Sequence, residues 1–501
     1  MRKTAFIIAL ISLVSAWCIN QYNLSELRKD GVELRLNETV ITADDDSYIA
    51  PARNFLETGE LKNNLKDKSA YFLRPPGYSW WLIFHGGVQN SAQLFTLKIT
   101  QTLLFSFSVY FLFFIAFDFL NSKKLAAITS AVYGVSTIAS GFLFYTLTEA
   151  ITPALVIFLV YALIKSKNED RTRRKQLFYF LSSALFAALF ITRPVLGVFA
   201  LGLFCFILFD FWKNKKQLVI TVLAAFLIAF TPMALWQIRN STIAQQYVGL
   251  HPIYFNQHSS TCFRPTHQAL WTLNKGWGEK GARFHEYFGE FWSAGINGDT
   301  SSTQREKFIS NIPKHVIQAL GRKNIDEMLH HYQVSILHQK TFHDAKISMP
   351  QKLPNSEVET IKRIEQLVRQ YKQKLPLEYY LTSPLKVFKT LAFHSNLSLY
   401  IYQKTLRGNL LMEGFRLLAY GFHALIFTLL IFSVFSKTTI EYKSLFSITV
   451  VLYVGYLIFI QRGIEERYTL PIFAIALISS TQVLQQIVGK VKKGKLKKPA
   501  L

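Results

Sequence analysis

Three adjacent carboxylates, Asp44, Asp45 and Asp46, stand just before a helical pattern in which Tyr48, Ile49, Ala52, Phe55 and Leu56 share one side. Aspartate suits the first turn of a helix, where it caps backbone N–H groups and meets the positive end of the dipole. Capping accounts for one such residue. Three in a row repel one another unless cations, or service as a general base, compensate. Further along the same segment, Arg74-Pro75-Pro76-Gly77-Tyr78 dictates an extended turn. Tyr78, Trp80, Trp81 and Phe84 then form an aromatic patch suited to a membrane interface. An arginine anchored at headgroup depth pairs with a lipid phosphate; its ordinary alternative is a snorkelling side chain. Glu149, Arg193, Arg239 and Arg467 are further ionisable groups at the ends of apolar stretches. Charge at bilayer depth is costly and tends to be functional. The chemistry on offer is an anionic lipid headgroup held by guanidiniums beside a carboxylate. A metal reading of His330, His331, His338 and His343 is weaker: they lack a compact ligand set, and surface histidines explain them.

The composition identifies the frame. Of 501 residues, 50% are apolar and only 17% charged, yet the net charge is +25. Such apolarity excludes a disordered basic chain, and the low charge density argues against a soluble nucleic-acid binder. Three cysteines exclude a disulfide scaffold. A membrane helix needs ~20 apolar residues, and ten stretches approach that: 4–20, 94–117, 125–141, 143–164, 177–192, 195–211, 218–238, 415–435, 444–461 and 468–488. The first lacks a small-residue cleavage site and reads as a retained anchor. The pairs meeting near 141–143 and 192–195 are either separate helices or re-entrant features. With the N-terminus cytoplasmic, the Arg2-Lys3 start, 118–124, 165–176, 210–217, 436–443 and the tail from Lys490 hold 21 basic and 5 acidic residues, a net +16. The opposite face carries residues 20–77, net −2, and 240–414, net +8. This satisfies the positive-inside pattern and puts both large segments outside. The Lys-rich tail is expected to contact anionic lipid.

The organisation expected is therefore an all-α polytopic membrane protein of about ten transmembrane helices. An N-terminal module, 1–240, carries its site on the first outer loop, 20–77. A mainly helical extracytoplasmic domain follows at 241–414, then C-terminal membrane helices at 415–489 and a basic cytoplasmic tail at 490–501. Within the outer domain, Ser356–Lys374 places Val358, Ile361, Ile364, Leu367, Val368 and Tyr371 on a helical stripe. A second helix is expected from Lys314 to about Lys340. The aromatics between Arg264 and Gly281 either stack on an acceptor or fill a core. Cys262 is alone in that domain, which excludes an internal disulfide there, and Cys18 near the end of the first span is a remote candidate partner.

The order of these features resembles the polyprenyl-phosphate-sugar-dependent glycosyltransferases of the GT-C fold. Among them it is similar to the bacterial relatives of protein O-mannosyltransferases and the lipid A aminoarabinose transferases. The family pattern is an Asp, a Tyr four residues on, an A-x-N-x-x-x-x-G helix, then R/K-P-P-G-Y. Here Asp44, Tyr48, Ala52, Asn54, Gly59 and Arg74 to Tyr78 follow that order. Thr148-Glu149, Thr192-Arg193-Pro194, Trp236-x-x-Arg239-Asn240 and Glu466-Arg467-Tyr468-x-x-Pro471 are weaker matches. The resemblance implies inverting transfer of a sugar from polyprenyl phosphate to an acceptor hydroxyl of a lipid, glycan or protein. It implies Asp44 as general base, Glu149 as a supporting acid and Arg74 as phosphate ligand, with Tyr48, Arg193, Arg239 and Arg467 as further substrate contacts. The aspartate run departs from the family's single Asp, so Asp45 or Asp46 could be the base, or the cluster could hold a divalent cation. Rival readings are a ligase or polymerase of lipid-linked glycans, and a polytopic transporter or flippase. The expected setting is a bacterial inner membrane, with both termini cytoplasmic, the large loops periplasmic, membrane lipids as neighbours and no nucleic-acid partner.

Overall fold

A computed structural model describes residues 1–42, 44–63, 74–244, 247, 264–347, 349, 352–392, 408–462 and 466–495. Cys262, the Glu466 side chain and the end of the Lys-rich tail lie outside the described residues. The first apolar stretch becomes α1, Arg2–Lys29, longer than residues 4–20 because the polar continuation stays helical and buries Asn20, Asn23, Leu24 and Leu27. Asn20 Nδ2 donates to the Ser140 carbonyl (2.8 Å), which fixes that end of the helix. The chain then makes a small hairpin, β1 (Leu34–Arg35) and β2 (Thr39–Val40), paired antiparallel. Its turn holds Leu36 and Asn37 at φ 47° and 60°. Asparagine tolerates that left-handed conformation; leucine there is strained. Val40 bridges in parallel to Tyr145, which docks the hairpin on the 141–151 segment.

α2 (Asp46–Thr58) buries Tyr48, Ile49 and Ala52 and stops at Gly59 in the left-handed conformation. Phe55 is half-buried against Trp80, whereas Leu56 is exposed, so the apolar side is narrower than the sequence pattern. The Pro75-Pro76 turn leads directly into α3, Gly77–Phe84. A Cβ on Gly77 would sit 2.7 Å from the backbone N and Cα of Thr192. Only glycine permits that approach. Trp80 and Phe84 are exposed as an interface patch requires, but Tyr78 is fully buried and donates to Gln101 Oε1 (2.9 Å).

The bundle continues with α4 (Ser91–Leu120), α5 (Lys123–Gly134), α6 (Thr137–Ser140), α7 (Thr152–Lys167) and α8 (Thr172–Thr192). A tight turn, Pro194–Phe199, opens α9 (Ala200–Phe211), and α10 runs Lys215–Ala244. Among the described residues, eight helices are long and apolar enough to cross a membrane, against ten expected. The difference lies in 125–141 and 143–164, where α5 has 12 residues and α7 has 16. At 1.5 Å per residue, α7 spans roughly 24 Å, short of a hydrocarbon core of ~30 Å. The irregular segment between them carries Glu149. The 192–195 pair, in contrast, divides into two full spans about an extended Arg193 (φ −148°, ψ 94°).

A second core belongs to α11 (Pro265–Asn274), α12 (Glu279–Ala282), α13 (Phe284–Ile296), α14 (Ser302–Ser310), α15 (Lys314–Leu320), α16 (Arg322–Ala345) and α17 (Asn355–Lys374). It gathers Leu270, Trp277, Phe288, Tyr332, Ile364 and Tyr371, so Trp277 serves packing. The α17 stripe buries Ile364, Leu367, Val368 and Tyr371 as the pattern requires. The expected helix from Lys314 is instead two, because Gly321 sits at φ 85° between them. α18 (Ser383–Ala392) places Val387, Leu391 and Ala392 in the bundle core and so joins the two bodies. The chain returns through α19 (Leu410–Ser433), then α20 (Ile440–Lys443) and α21 (Thr449–Gly455), which wide helical turns merge into one span ending at Gln461. α22 (Leu470–Lys495) closes the bundle.

Candidate active site

The three aspartates point to different partners. Asp44 lies between two guanidiniums: Arg74 Nη2 meets Oδ1, and Arg467 Nη2 meets Oδ2 at 2.7 Å. It remains 29% exposed. Asp45 is buried and takes Arg35 Nη2 (3.1 Å), Thr146 Oγ1 (3.3 Å) and the Thr42 N–H (3.4 Å). Asp46 is 79% exposed and pairs with the same Arg35 (2.9 Å). The docked hairpin makes this division, because β1 presents Arg35 to Asp45 and Asp46 and leaves Asp44 to the arginines arriving from elsewhere. No three His, Cys, Asp or Glu side chains among the described residues converge as a metal site would need. The cation slots beside the aspartates are taken by guanidiniums.

Glu149 adjoins this pair. It sits in the turn Thr148–Ala150 ahead of α7, with a side chain only 4% exposed. Arg193 Nη1 donates to Oε1 at 2.8 Å, Arg467 Nε lies 3.8 Å from the same oxygen, and Thr148 donates to Oε2 at 3.1 Å. Burial alone would push this carboxyl up; Arg193 and Arg467 outweigh burial and hold it at about 2. Arg467 thus bridges the two carboxylates. Tyr468 lies under both neighbouring guanidiniums, with Arg193 at 5.0 Å and Arg467 at 5.7 Å from its ring. Tyr48 supports Arg74 likewise, at 5.1 Å, and Arg74 Nε also donates to Ser47 Oγ (3.1 Å).

Asp44, Arg74, Glu149 and Arg467 each stand at or just before a helix entry, and Arg193 occupies the joint ahead of α9. The positive helix ends therefore gather around one centre of three guanidiniums and two carboxylates. Among the described residues, the result is a cluster of three guanidiniums with two carboxylates, one of them open to solvent, suited to an anion beside a proton acceptor. Arg239 is differently engaged. Its described hydrogen bonds run to Asn240 (3.2 Å) and the Leu61 carbonyl (3.4 Å), and its guanidinium covers Trp236. It pins the Leu61 segment to α10. Sequence reasoning missed Arg35, Ser47 and Thr146, and it quoted Tyr468 only as part of a motif without a role. Arg35 alone left a signal, since Leu34-Arg35-Leu36-Asn37-Glu38-Thr39-Val40 alternates about an Asn turn as hairpins do.

No protein-family model matches the chain, and no curated protein matches it as a sequence. Among solved structures, it is similar to ArnT from Cupriavidus metallidurans bound to undecaprenyl phosphate, at 12% identity and a TM-score of 0.35 over 96% of this chain and 78% of that one. The apo state of that protein matches with the same values. An oligosaccharyltransferase from Archaeoglobus fulgidus in the apo form matches at 8% identity and a TM-score of 0.46, over 98% of this chain and 51% of its own. The chain spans about half the length of the archaeal protein.

Proposed function

We propose that the chain is an integral-membrane glycosyltransferase that moves a sugar from a polyprenyl-phosphate donor to an acceptor hydroxyl, with inversion. The observation that carries this reading is Asp44, a partly exposed carboxylate held between Arg74 and Arg467, with Arg193 and Glu149 alongside. In the reaction, Asp44 takes the acceptor's proton as the hydroxyl oxygen bonds to the anomeric carbon. The bond from that carbon to the donor phosphate breaks, and the arginines hold the charge gathering on the departing lipid phosphate. Arg74 and Arg467 are the phosphate ligands. A phosphate drawn to them competes with Asp44 for the same N–H donors, which frees a carboxylate oxygen for the acceptor. Glu149 keeps Arg193 and Arg467 in place and takes no proton itself. Asp45 and Asp46 orient the segment through Arg35.

The site face is the outer one, periplasmic in a bacterial inner membrane, because the opposite-face segments carry the net +16. The test compares Asp44→Asn, Asp45→Asn and Asp46→Asn at equal membrane levels, following transfer from lipid-linked sugar. Asp44→Asn is expected to lose at least a hundredfold, as removal of a general base does. Asp46→Asn is expected to stay within a few-fold of the parent. An Asp44→Asn protein with parental activity would overturn the mechanism.

A further inference from the structure

The junction between the helical domain and the bundle holds a second group of cations. Arg462 follows directly on the span that ends at Gln461 and is almost fully buried. Its guanidinium donates to the carbonyls of Lys275, Tyr379 (2.7 Å) and Phe459 (3.1 Å). It also lies 4.7 Å from the centre of the Tyr379 ring, and Lys372 Nζ, from α17, lies 5.0 Å from the same ring. Lys275 opens the turn after α11, with Nζ 4.9 Å from the Trp271 ring. The junction is tightly made. Tyr371 donates to the Gly276 carbonyl (2.7 Å), Tyr379 to that of Thr272 (3.2 Å) and Ser383 to that of Lys275 (2.9 Å).

Three cations are thus gathered at the junction, Lys275 and Lys372 half-buried and Arg462 buried behind them, yet among the described residues none of them forms an ion pair. Glu378, beside Tyr379 in the chain, is engaged by Lys386 (2.8 Å) and Thr382. Burial first, and then the charges of Arg462 and Lys372, lower the Lys275 pKa, with no carboxylate countering them. Assembling like charges on a low-dielectric surface is unfavourable until an anion joins them. Carbonyl oxygens and ring faces shield Arg462 but do not neutralise it.

We propose that Lys275, Lys372 and Arg462 form a phosphate-binding site at the junction of the helical domain and the membrane bundle, separate from the Asp44 cluster. The ligand is a phosphate-bearing anion. Because Arg462 directly follows a membrane span, the headgroup of an anionic lipid lies at the right depth to supply it. The half-exposed Lys275 and Lys372 ammoniums supply donors to the phosphate oxygens, and Arg462, held by three carbonyls behind them, adds positive charge at the site. The site goes beyond the transfer reaction and stands whether or not that reading holds.

The experiment is native mass spectrometry of the full chain in neutral detergent, titrated separately with phosphatidylglycerol, phosphatidylcholine and inorganic phosphate. The parent is expected to retain one phosphatidylglycerol more tightly than phosphatidylcholine. Lys275→Gln and Lys372→Gln should each weaken it about tenfold, the loss of one hydrogen bond to a charged group. Lys386→Gln should leave it unchanged, since Lys386 is paired with Glu378. Inorganic phosphate that binds and displaces the lipid at millimolar concentration would mark free phosphate as the source; phosphatidylglycerol binding that ignores it would mark the lipid. Lys372 is half-exposed, so Lys372→Gln carries the test if Lys275→Gln fails to fold. The proposal is overturned if neither phosphatidylglycerol nor phosphate binds the parent better than phosphatidylcholine does, or if Lys372→Gln binds as the parent.

Discussion

Replacing Glu149 by Gln removes one buried charge and little else, so its consequence can be worked through. The carboxyl is held at about 2 against an ordinary 4.5, by Arg193 and Arg467 overcoming burial. At about 1.4 kcal/mol per pH unit, that gap is ~3 kcal/mol of stability. An independent expectation agrees: removing one partner of a buried ion pair costs ~3–5 kcal/mol, because the other charge stays behind. Here the charge left behind is Arg193, whose side chain is only 12% exposed. The amide oxygen that replaces the carboxylate can still accept a hydrogen bond from Arg193, so the lower figure is expected. The sign with pH follows from the lowered value: the contribution is complete above about 4.5 and disappears as pH falls through about 2. Glu149→Gln should therefore unfold ~3 kcal/mol more easily than the parent near pH 7, by denaturant titration of the full chain in nanodiscs. Its deficit should shrink steadily below pH 4.5. The double variant Glu149→Gln/Arg193→Gln should recover part of the loss, since no charge is then stranded. If Glu149→Gln unfolds with the parent, or its deficit is the same at about pH 7 and about pH 3, the buried-pair account is refuted.

Two further outcomes follow from local geometry. Gly77→Ala pushes a methyl against the Thr192 backbone, at 2.7 Å from both N and Cα, and neither can move like a flexible side chain. It should cost ~3 kcal/mol, the upper part of the range for overpacking, read as a lowered thermal midpoint; a midpoint equal to the parent's would contradict the contact. In the helical domain, His267 is buried among Phe284, Phe288 and His285, and burial followed by His285 lowers its pKa to about 3. The unfolded chain then binds a proton that the folded one refuses, so this stability is complete above about 6.5 and is lost toward pH 3, at up to about 1.4 kcal/mol per pH unit. Hydrogen exchange of peptides from that domain should show the acid-dependent opening, and His267→Phe should flatten it; an unchanged slope would remove His267 as the cause.

How much of this the sequence carries depends on the range of each interaction. The membrane spans are legible because each is a local run of apolar residues. The two that fall short, α5 and α7, fail where polar and aromatic residues share the window and hydropathy alone cannot place the break. Gly59 and Gly77 appear in the pattern as letters, but only packing shows that one ends a helix and the other admits Thr192. The choice among Asp44, Asp45 and Asp46 is not legible, since all three have the same local surroundings. It is made by partners at distant positions, Arg467 reaching Asp44 across 423 residues. Arg193 and Arg239 look alike in sequence, each near the end of an apolar stretch. Arg193 meets Glu149, while Arg239 turns to the Leu61 carbonyl.

The net charge of +25 is a poor guide to the site for a physical reason. Most of the excess lies in short segments that the positive-inside reading puts on the cytoplasmic face, where lysines would meet solvent and headgroups and repel one another little. The Asp44 cluster is built oppositely: three arginines persist in a poorly solvated place because two carboxylates and two tyrosine rings hold them. Pairing lets charge survive burial. In this chain the candidate site lies where cations are matched with carboxylates, not where cations are most numerous. Lys275, Lys372 and Arg462 depart from that rule. They are partly buried and unmatched among the described residues, and that cost is offset only when an anion from outside the chain completes the balance.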